Sequence, residues 1–236
     1  MNVYLYKIEY DLMQADEQKI LASLPAFRRE KAEKLINQKA RYESMAATLL
    51  VRKVLGLSEE EFQSCREEKG PMGKPLLYGA DEKKLPLFNL SHSEGYLALA
   101  ISNQEDMPVG IDLETKDDKE LRVSRRMFTQ MEYEWIQSAA NPQKEFRRVW
   151  TEKESFLKCT GQGISVKLSS FHVNRDSGKV ESDGYTFQDS PFGKEYFVKT
   201  FFAEDESFAM SVCCQKKDFT FKMREVNSLF SSKPHQ

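Results

Sequence analysis

The sequence predicts an α+β fold in two halves. Three observations carry that prediction. Residues 109–114 alternate strictly between apolar and polar or glycine, which reads as a strand. Residues 142–160 place apolar side chains at helical spacing, which reads as a helix. Beyond Gly163 the helical period gives way to short strand-like runs separated by turn residues. Helices and strands ordered this way belong to the α+β class.

The first half opens with a strand over residues 2–10. A basic helical region follows. Between Arg28 and Lys53 there are eight basic residues against three acidic ones. Met45, Ala46, Leu49, Leu50 and Val54 supply the buried face of a helix that ends near Gly56. The charge on that region fits either a solvated helix face or a set of cations for an anionic ligand. Gly70-Pro71-Met72-Gly73-Lys74-Pro75 is a turn-rich loop. Two strands over 86–91 and 95–102 are joined through His92-Ser93-Glu94-Gly95. The polar break at 103–108, with Pro108, marks a junction and gives halves of 1–106 and 107–236.

The second half opens on Gly110-Ile111-Asp112-Leu113-Glu114. Alternation sends Val109, Ile111 and Leu113 to a core and puts Asp112 and Glu114 side by side on the other face. Two carboxylates so placed repel unless a cation lies between them. They fit either a wet acidic strand face or a hard cation such as Mg²⁺, which takes one or two protein carboxylates together with substrate phosphates. A further helix begins at Thr129, where Thr129-x-x-Glu132 has the capping-box pattern.

The next helix starts at Asn141-Pro142 and stops at Gly161-Gln162-Gly163. It carries Trp150-Thr151-Glu152-Lys153-Glu154-Ser155-Phe156-Leu157-Lys158. Phe146, Val149, Trp150, Phe156 and Leu157 form its apolar stripe, flanked by Arg147, Thr151, Glu154 and Lys158. Glu154 and Lys158 are neighbours at four-residue spacing, an ion pair worth only a few tenths of a kcal/mol, about 0.2–0.5, if it is merely a surface pair. Lys153 falls inside the stripe, where it is expected to snorkel out unless it meets a buried acceptor. Strands are expected over 164–173, 178–188, 195–203 and 207–214, with turns at Asp176-Ser177-Gly178 and Ser182-Asp183-Gly184. Phe221 to Gln236 reads as a polar, fraying end.

Composition narrows the function classes. The 236 residues are 40% hydrophobic and 31% charged, enough for one large domain or two small ones. A net charge of −2 gives no reason to expect nucleic acid. The chain has no long apolar run and no signal-peptide pattern at its start, so a cytoplasmic protein without membrane association is expected. Cys65, Cys159, Cys213 and Cys214 lack metal-type spacing, and only His92, His172 and His235 accompany them, which argues against zinc. Ser91-His92-Ser93 has no identifiable acidic partner for nucleophilic serine catalysis.

Taken together, four segments resemble the phosphopantetheinyl transferases of the long, surfactin-synthetase-activating (Sfp) type. These are Gly73-Lys74-Pro75, Asn89-Leu90-Ser91-His92-Ser93, Gly110-Ile111-Asp112-Leu113-Glu114 and the stretch Trp150 to Lys158. Each is weak alone; in this order and at these separations they are specific. The resemblance implies a pseudo-dimeric monomer, two similar α+β halves with internal pseudo-twofold symmetry and a site in the cleft between them. It implies coenzyme A as donor, apo acyl or peptidyl carrier proteins as acceptors, and adenosine 3′,5′-bisphosphate as product. Asp112, Glu114 and Glu154 match the metal ligands for Mg²⁺, with Mn²⁺ as a substitute. Lys158 matches the lysine that stabilises the leaving group, and Glu132 or Glu154 accepts the serine proton. Arg28, Lys31, Lys74, Ser91 and His92 match positions that contact coenzyme A, chiefly its phosphates. Exposed apolar residues between Arg122 and Trp135, such as Met127 and Phe128, are the expected carrier-docking surface. One departure stands out: where the family often has an arginine, this chain has Glu43, with Arg41 two residues earlier. A metal-dependent phosphodiesterase or nucleotide hydrolase, and a non-catalytic coenzyme A or carrier-protein binding module, are the competing readings.

Overall fold

The computed structural model describes residues 1–70, 73–115, 121–163, 166–182 and 195–229, and the mixed α+β class is what it shows. In chain order, β1 (Asn2–Lys7) leads into α1 (Tyr10–Ala15), α2 (Glu17–Ser23), α3 (Ala26–Glu33), the long α4 (Gln38–Leu55) and α5 (Glu59–Gln63). A hairpin of β2 (Arg66–Lys69) and β3 (Pro75–Tyr78) follows, then β4 (Phe88–Ser93), β5 (Tyr96–Ile101) and β6 (Val109–Thr115). Helices α6 (Leu121–Met127), α7 (Gln130–Ser138) and α8 (Pro142–Thr160) precede the short strands β7 (Phe171–Val173) and β8 (Val180–Ser182). The chain closes with β9 (Phe197–Phe202), β10 (Phe208–Cys214) and β11 (Lys222–Glu225).

Two sheets pack face to face. The first has the order β11-β1-β5-β4 and the second β6-β10-β9. Their shared core joins Val3, Leu5, Ala98 and Ala100 of the first to Val109, Ile111, Leu113, Met210 and Val212 of the second. On the outer face of the first sheet lies α4, with Tyr42, Met45, Leu49 and Leu50 packed among Leu97, Leu99 and Ile101. On the outer face of the second lies α8, in contact with β6, β10 and β9. The alternation read from residues 109–114 is therefore the alternation between a sheet–sheet core and a sheet–helix layer. Cys213 and Cys214 are strand residues, as expected, and both are buried.

Helix ends follow their local chemistry. Asn37 caps α4 by accepting from the Ala40 amide at 2.9 Å, and Gly56 ends that helix at φ 70°. Thr129 and Glu132 form the full capping box at α7, and Asn141 caps α8. The strand expected over 2–10 ends at Lys7, because α1 starts at Tyr10. Between 166 and 173 only Phe171–Val173 is strand, preceded by a 3-10 turn at Leu168–Ser170. The expected strand 178–188 is seen as Val180–Ser182, while residues 183–188, and with them most of the Ser182-Asp183-Gly184 turn, lie outside the described residues. So do Pro71 and Met72 of the turn-rich loop and residues 230–236.

The polar end is not simply frayed. Lys222–Glu225 pairs in parallel with β1, and Val226 and Leu229 are buried in the first core. The chain thus returns to the first sheet after building the second. Nothing in the largely exposed side chains of β11 signals this: its pairing comes from backbone groups offered by the edge of β1.

Candidate active site

The two sheets meet along β4 and β6, and side chains make the join. Strand β6 is an edge strand of its sheet and presents backbone amides to β4. Asn89 Oδ1 accepts from the Ile111 amide at 2.8 Å, Ser91 Oγ from the Leu113 amide at 3.2 Å, and Ser93 Oγ from the Thr115 amide at 3.2 Å. Alternate residues of β4 thereby satisfy amides that a missing strand would otherwise have paired. The spacing Asn89-x-Ser91-x-Ser93 has a structural reason, and it delivers Ser91 to the acidic face of β6.

There Ser91 Oγ donates to Asp112 Oδ1 at 2.9 Å and accepts from Lys158 Nζ at 2.9 Å. Lys158 Nζ also donates to Asp112 Oδ1 at 2.6 Å. Asp112 is 4% exposed, so it does not sit on the wet face that an amphipathic strand would give it. Its second oxygen, Oδ2, is buried without a hydrogen-bond partner. An unpaired buried carboxylate oxygen is costly unless a ligand completes it. Glu154 lies beside this group. Burial raises its carboxyl above the ordinary range, the negative charge of Asp112 raises it further, and Lys158 partly offsets both.

This donor set fits a hard divalent cation: two crowded carboxylates, one with an orphaned oxygen. Among the described residues no three acidic, histidine or cysteine side chains converge into a ready-made metal cage. Mg²⁺ does not need one, because it keeps waters and takes oxygens from substrate phosphates. Glu114 is two residues along the same face, where Ser93 Oγ donates to its Oε2 at 3.3 Å.

Helix α8 can bring Glu154 and Lys158 to β6 because residue 110 is glycine. A Cβ at Gly110 would lie 2.8 Å from the Cα of Cys159, and closer still to the Ser155 carbonyl and the Cys159 nitrogen. The helix surface turned to the sheet is small and polar rather than apolar. Thr151 Oγ1 lies 2.8 Å from Ser211 Oγ, which in turn lies 2.9 Å from Thr200 Oγ1. Thr200 Oγ1 donates to Glu152 Oε1 at 2.8 Å, and burial pushes the Glu152 carboxyl up to about 7. The expected single apolar stripe divides instead. Phe146, Val149 and Trp150 pack with Phe128 and Ile136, whereas Phe156 and Leu157 pack with Phe171, Val173 and Val198.

Lys153 does not snorkel. It is 0% exposed, and its ammonium lies 2.9 Å from Glu132 Oε2. It donates to the Leu168 carbonyl at 2.7 Å and to the Phe171 carbonyl, and it sits 4.3 Å from the centroid of the Phe171 ring. The same Glu132 oxygen accepts from the Thr129 amide and hydroxyl, both at 3.0 Å. Lys153 therefore ties the start of α7 and the 168–171 segment to α8, next in sequence to Glu154. Replacing it with methionine leaves a buried carboxylate without its cation. Lys153→Met should cost about 3–5 kcal/mol in urea unfolding, and Lys153→Met/Glu132→Gln should recover part of that loss. A single-variant loss below about 1 kcal/mol would place the pair among weak ones.

Lys74 reaches the same region from the β2–β3 turn. Its ammonium donates to the Val109 carbonyl at 2.6 Å and to the Cys159 carbonyl at 3.4 Å, near the C-terminal end of α8. Burial lowers its pKa, and Cys159 and Cys213 partly offset this. In this structure Lys74 holds β6 and α8 together; the sequence suggested only a phosphate contact.

Comparison with known proteins settles the kinship. The 4′-phosphopantetheinyl transferase superfamily model matches residues 108–213, the span that holds Asp112, Glu114, Glu154 and Lys158. The chain is 28% identical over 227 residues to a 4′-phosphopantetheinyl transferase of Bacillus subtilis, covering 93% of this chain and 94% of that one. It is 26% identical to 4′-phosphopantetheinyl transferase Sfp of the same species, with the same shares covered. It is 33% identical over 180 residues to 4′-phosphopantetheinyl transferase HetI of a Nostoc strain, covering 73% of each chain.

The chain belongs to the 4′-phosphopantetheinyl transferases.

The remaining residues expected at the site of this transferase lie on the α3, α4 and β4 side. Arg28 borders a cavity of about 180 Å³ formed with Thr48, Val51, Phe62, Leu77 and Asn89, and it is paired with Glu67. Burial lowers the Arg28 pKa and Glu67 raises it. Lys31 is exposed on α3. His92 points away from Ser91, as strand alternation requires, and its Nε2 lies 3.7 Å from Glu43 Oε2. Arg41 is turned away from Glu43 to Glu17, with Nε 2.8 Å from Oε1. Phe128, expected on a docking surface, is 4% exposed and packs against Phe146 and Trp150, which removes it from that role. Met127 is half-buried, and Met131 is the exposed apolar residue of α7. No described helix is long and apolar enough to cross a membrane.

Proposed function

We propose that this protein transfers the 4′-phosphopantetheine group of coenzyme A to a serine of apo acyl or peptidyl carrier proteins, with Mg²⁺ held by Asp112, Glu154 and Glu114. The single observation that carries the reading is Asp112. One of its oxygens is neutralised by Lys158 and Ser91, and the other is buried and unpaired. A carboxylate divided in this way suits a site where an ammonium and a metal act on one phosphate group.

The chemistry balances as follows. The serine oxygen of the carrier bonds to the phosphorus that bears pantetheine, and the bond from that phosphorus to the bridging pyrophosphate oxygen breaks. Adenosine 3′,5′-bisphosphate leaves. When bound, Mg²⁺ neutralises charge on the pyrophosphate oxygens. Lys158 uses two donors on Ser91 and Asp112, so a third is available for the leaving oxygen. Glu154, beside Asp112 and Lys158, is the better-placed acceptor for the serine proton. Glu132 is the weaker candidate, because its Oε2 already faces three donors. Arg28, Lys31, Lys74, Ser91 and His92 would line the route of the coenzyme A phosphates.

The pseudo-dimeric reading has support in the layering: each half offers an antiparallel strand pair, β1–β5 or β6–β10, covered by one long helix, α4 or α8. A boundary near residue 106 fits that division, apart from the return of β11 to the first sheet. A monomer acting in the cytoplasm is the matching expectation.

The direct test is the intact mass of an apo carrier protein incubated with this protein, coenzyme A and Mg²⁺. A gain of one phosphopantetheine per carrier is expected. Release of bisphosphate without acceptor would favour a hydrolase. Tight coenzyme A binding with no transfer to several unrelated carriers would favour a binding module.

A further inference from the structure

Three side chains of β4 reach β6, and two of them reach past its backbone. Asn89 makes one side-chain hydrogen bond among the described residues, from the Ile111 amide. Ser91 and Ser93 each hold one amide and one carboxylate of β6. Ser91 Oγ accepts from the Leu113 amide and donates to Asp112. Ser93 Oγ accepts from the Thr115 amide at 3.2 Å and lies 3.3 Å from Glu114 Oε2. The pattern repeats because both strands alternate, so two residues along β4 match two residues along β6.

Counting hydrogens shows what Ser93 does there. A serine hydroxyl has one hydrogen and two lone pairs. The Thr115 amide takes one lone pair. Thr115 Oγ1, 3.0 Å away, can either give or accept a hydrogen. A carboxylate is the stronger acceptor, so the Ser93 hydrogen goes to Glu114 and Thr115 Oγ1 donates to the second lone pair. At Ser91 the same two places are filled by the Leu113 amide and Lys158. Each serine is left with one hydrogen and one carboxylate to receive it. The oxygen of Ser93 is fixed by the backbone of β6, so the direction of its hydrogen is fixed as well.

We infer that Ser93 is a positioning residue for the metal, holding the Glu114 carboxylate beside Asp112 so that both face one cation. This rests on the metal assignment proposed above and adds a residue behind it. Ser93 touches neither the cation nor a reacting atom; it acts through Glu114. A long, freely rotating carboxylate loses rotamer freedom when it binds a metal, and a fixed hydrogen bond removes part of that freedom beforehand.

Binding of Mn²⁺ to the protein alone, followed by the paramagnetic signal of the ion, tests this without turnover. Ser93→Ala should weaken binding about tenfold, the lower end of what partners of metal ligands contribute. Ser93→Thr keeps the hydroxyl and should bind like the natural protein. Asn89→Ala is the control. Like Ser93→Ala, it strips a β6 amide of its acceptor, so both should unfold at lower urea. Asn89 holds no carboxylate, so its loss should leave Mn²⁺ affinity alone. In a Glu114→Gln background Ser93→Ala should weaken binding no further, because the two act as one unit. Ser93→Cys keeps nearly the same size with a much poorer donor and reads the same contact if the alanine variant does not fold. Undiminished affinity in the folded Ala or Cys variant overturns the inference. So does equal weakening by Asn89→Ala, or the same tenfold loss in the Glu114→Gln background. A natural protein that binds no Mn²⁺ sinks the metal reading itself.

Discussion

Gly110→Ala should lower stability by about 3 kcal/mol, the upper end of the overpacking range, and remove most transferase activity, although it adds a single methyl group. The added carbon would fall on the backbone of α8, at the Ser155 carbonyl and the Cys159 nitrogen and Cα. Backbone atoms inside a helix cannot rotate aside as a side-chain tip would, so the whole helix must lift. Small neighbours allow the close approach: Thr151 and Ser155 on the helix, Ser211 on the sheet. Lifting α8 carries Glu154 and Lys158 away from Asp112, and the 2.6 Å contact between Lys158 and Asp112 cannot survive it. Urea unfolding with the intact-mass assay checks both consequences. A protein of unchanged stability and activity would mean that the helix does not pack on β6 as closely as described.

Asp112→Asn should leave the fold standing and lower transfer by about a hundredfold to a thousandfold, the scale on which loss of a key charge-stabilising group acts in catalysis. Asparagine has nearly the same shape and still accepts from Lys158 and Ser91 through its oxygen. It loses the negative charge and puts an NH₂ group where the unpaired Oδ2 lies. A cation would meet a donor there in place of a ligand. Binding of Mn²⁺, followed by its paramagnetic signal, should weaken in parallel with activity, while the melting temperature should hardly move. Near-normal transfer would remove Asp112 from the metal set and with it the reading built on it.

How much of this was legible beforehand varies from residue to residue. The strand at 109–114, the helix from Pro142 to Gly161 and the capping box at Thr129 were all readable, because each is written in local spacing and local caps. The family was readable from four short segments in order. The helical wheel sets Lys153 inside the apolar stripe, but its partner Glu132 lies twenty-one positions away, so no local pattern joins them. The hairpin β2–β3 and the strand β11 escaped for a plainer reason. Arg66–Lys69 and Lys222–Glu225 show no alternation of apolar and polar residues, and their pairing rests on the backbone. Lys74 was found as a motif residue, but its bonds to Val109 and Cys159 depend on where the hairpin comes to rest.

By itself the sequence determined the α+β class, the main helices and strands, and the set of carboxylates and lysines from which a site could be built. Hydrophobic period and capping act over a few residues, so they survive in one dimension. Only the tertiary structure decided which of those charges meet. It put Lys158 and Ser91 on one oxygen of Asp112 and left the other bare, buried Lys153 against Glu132, and set Glu43 beside His92. Those pairings span between 21 and 49 residues of chain, and at such distances it is the packing of sheet on sheet and helix on Gly110 that selects partners.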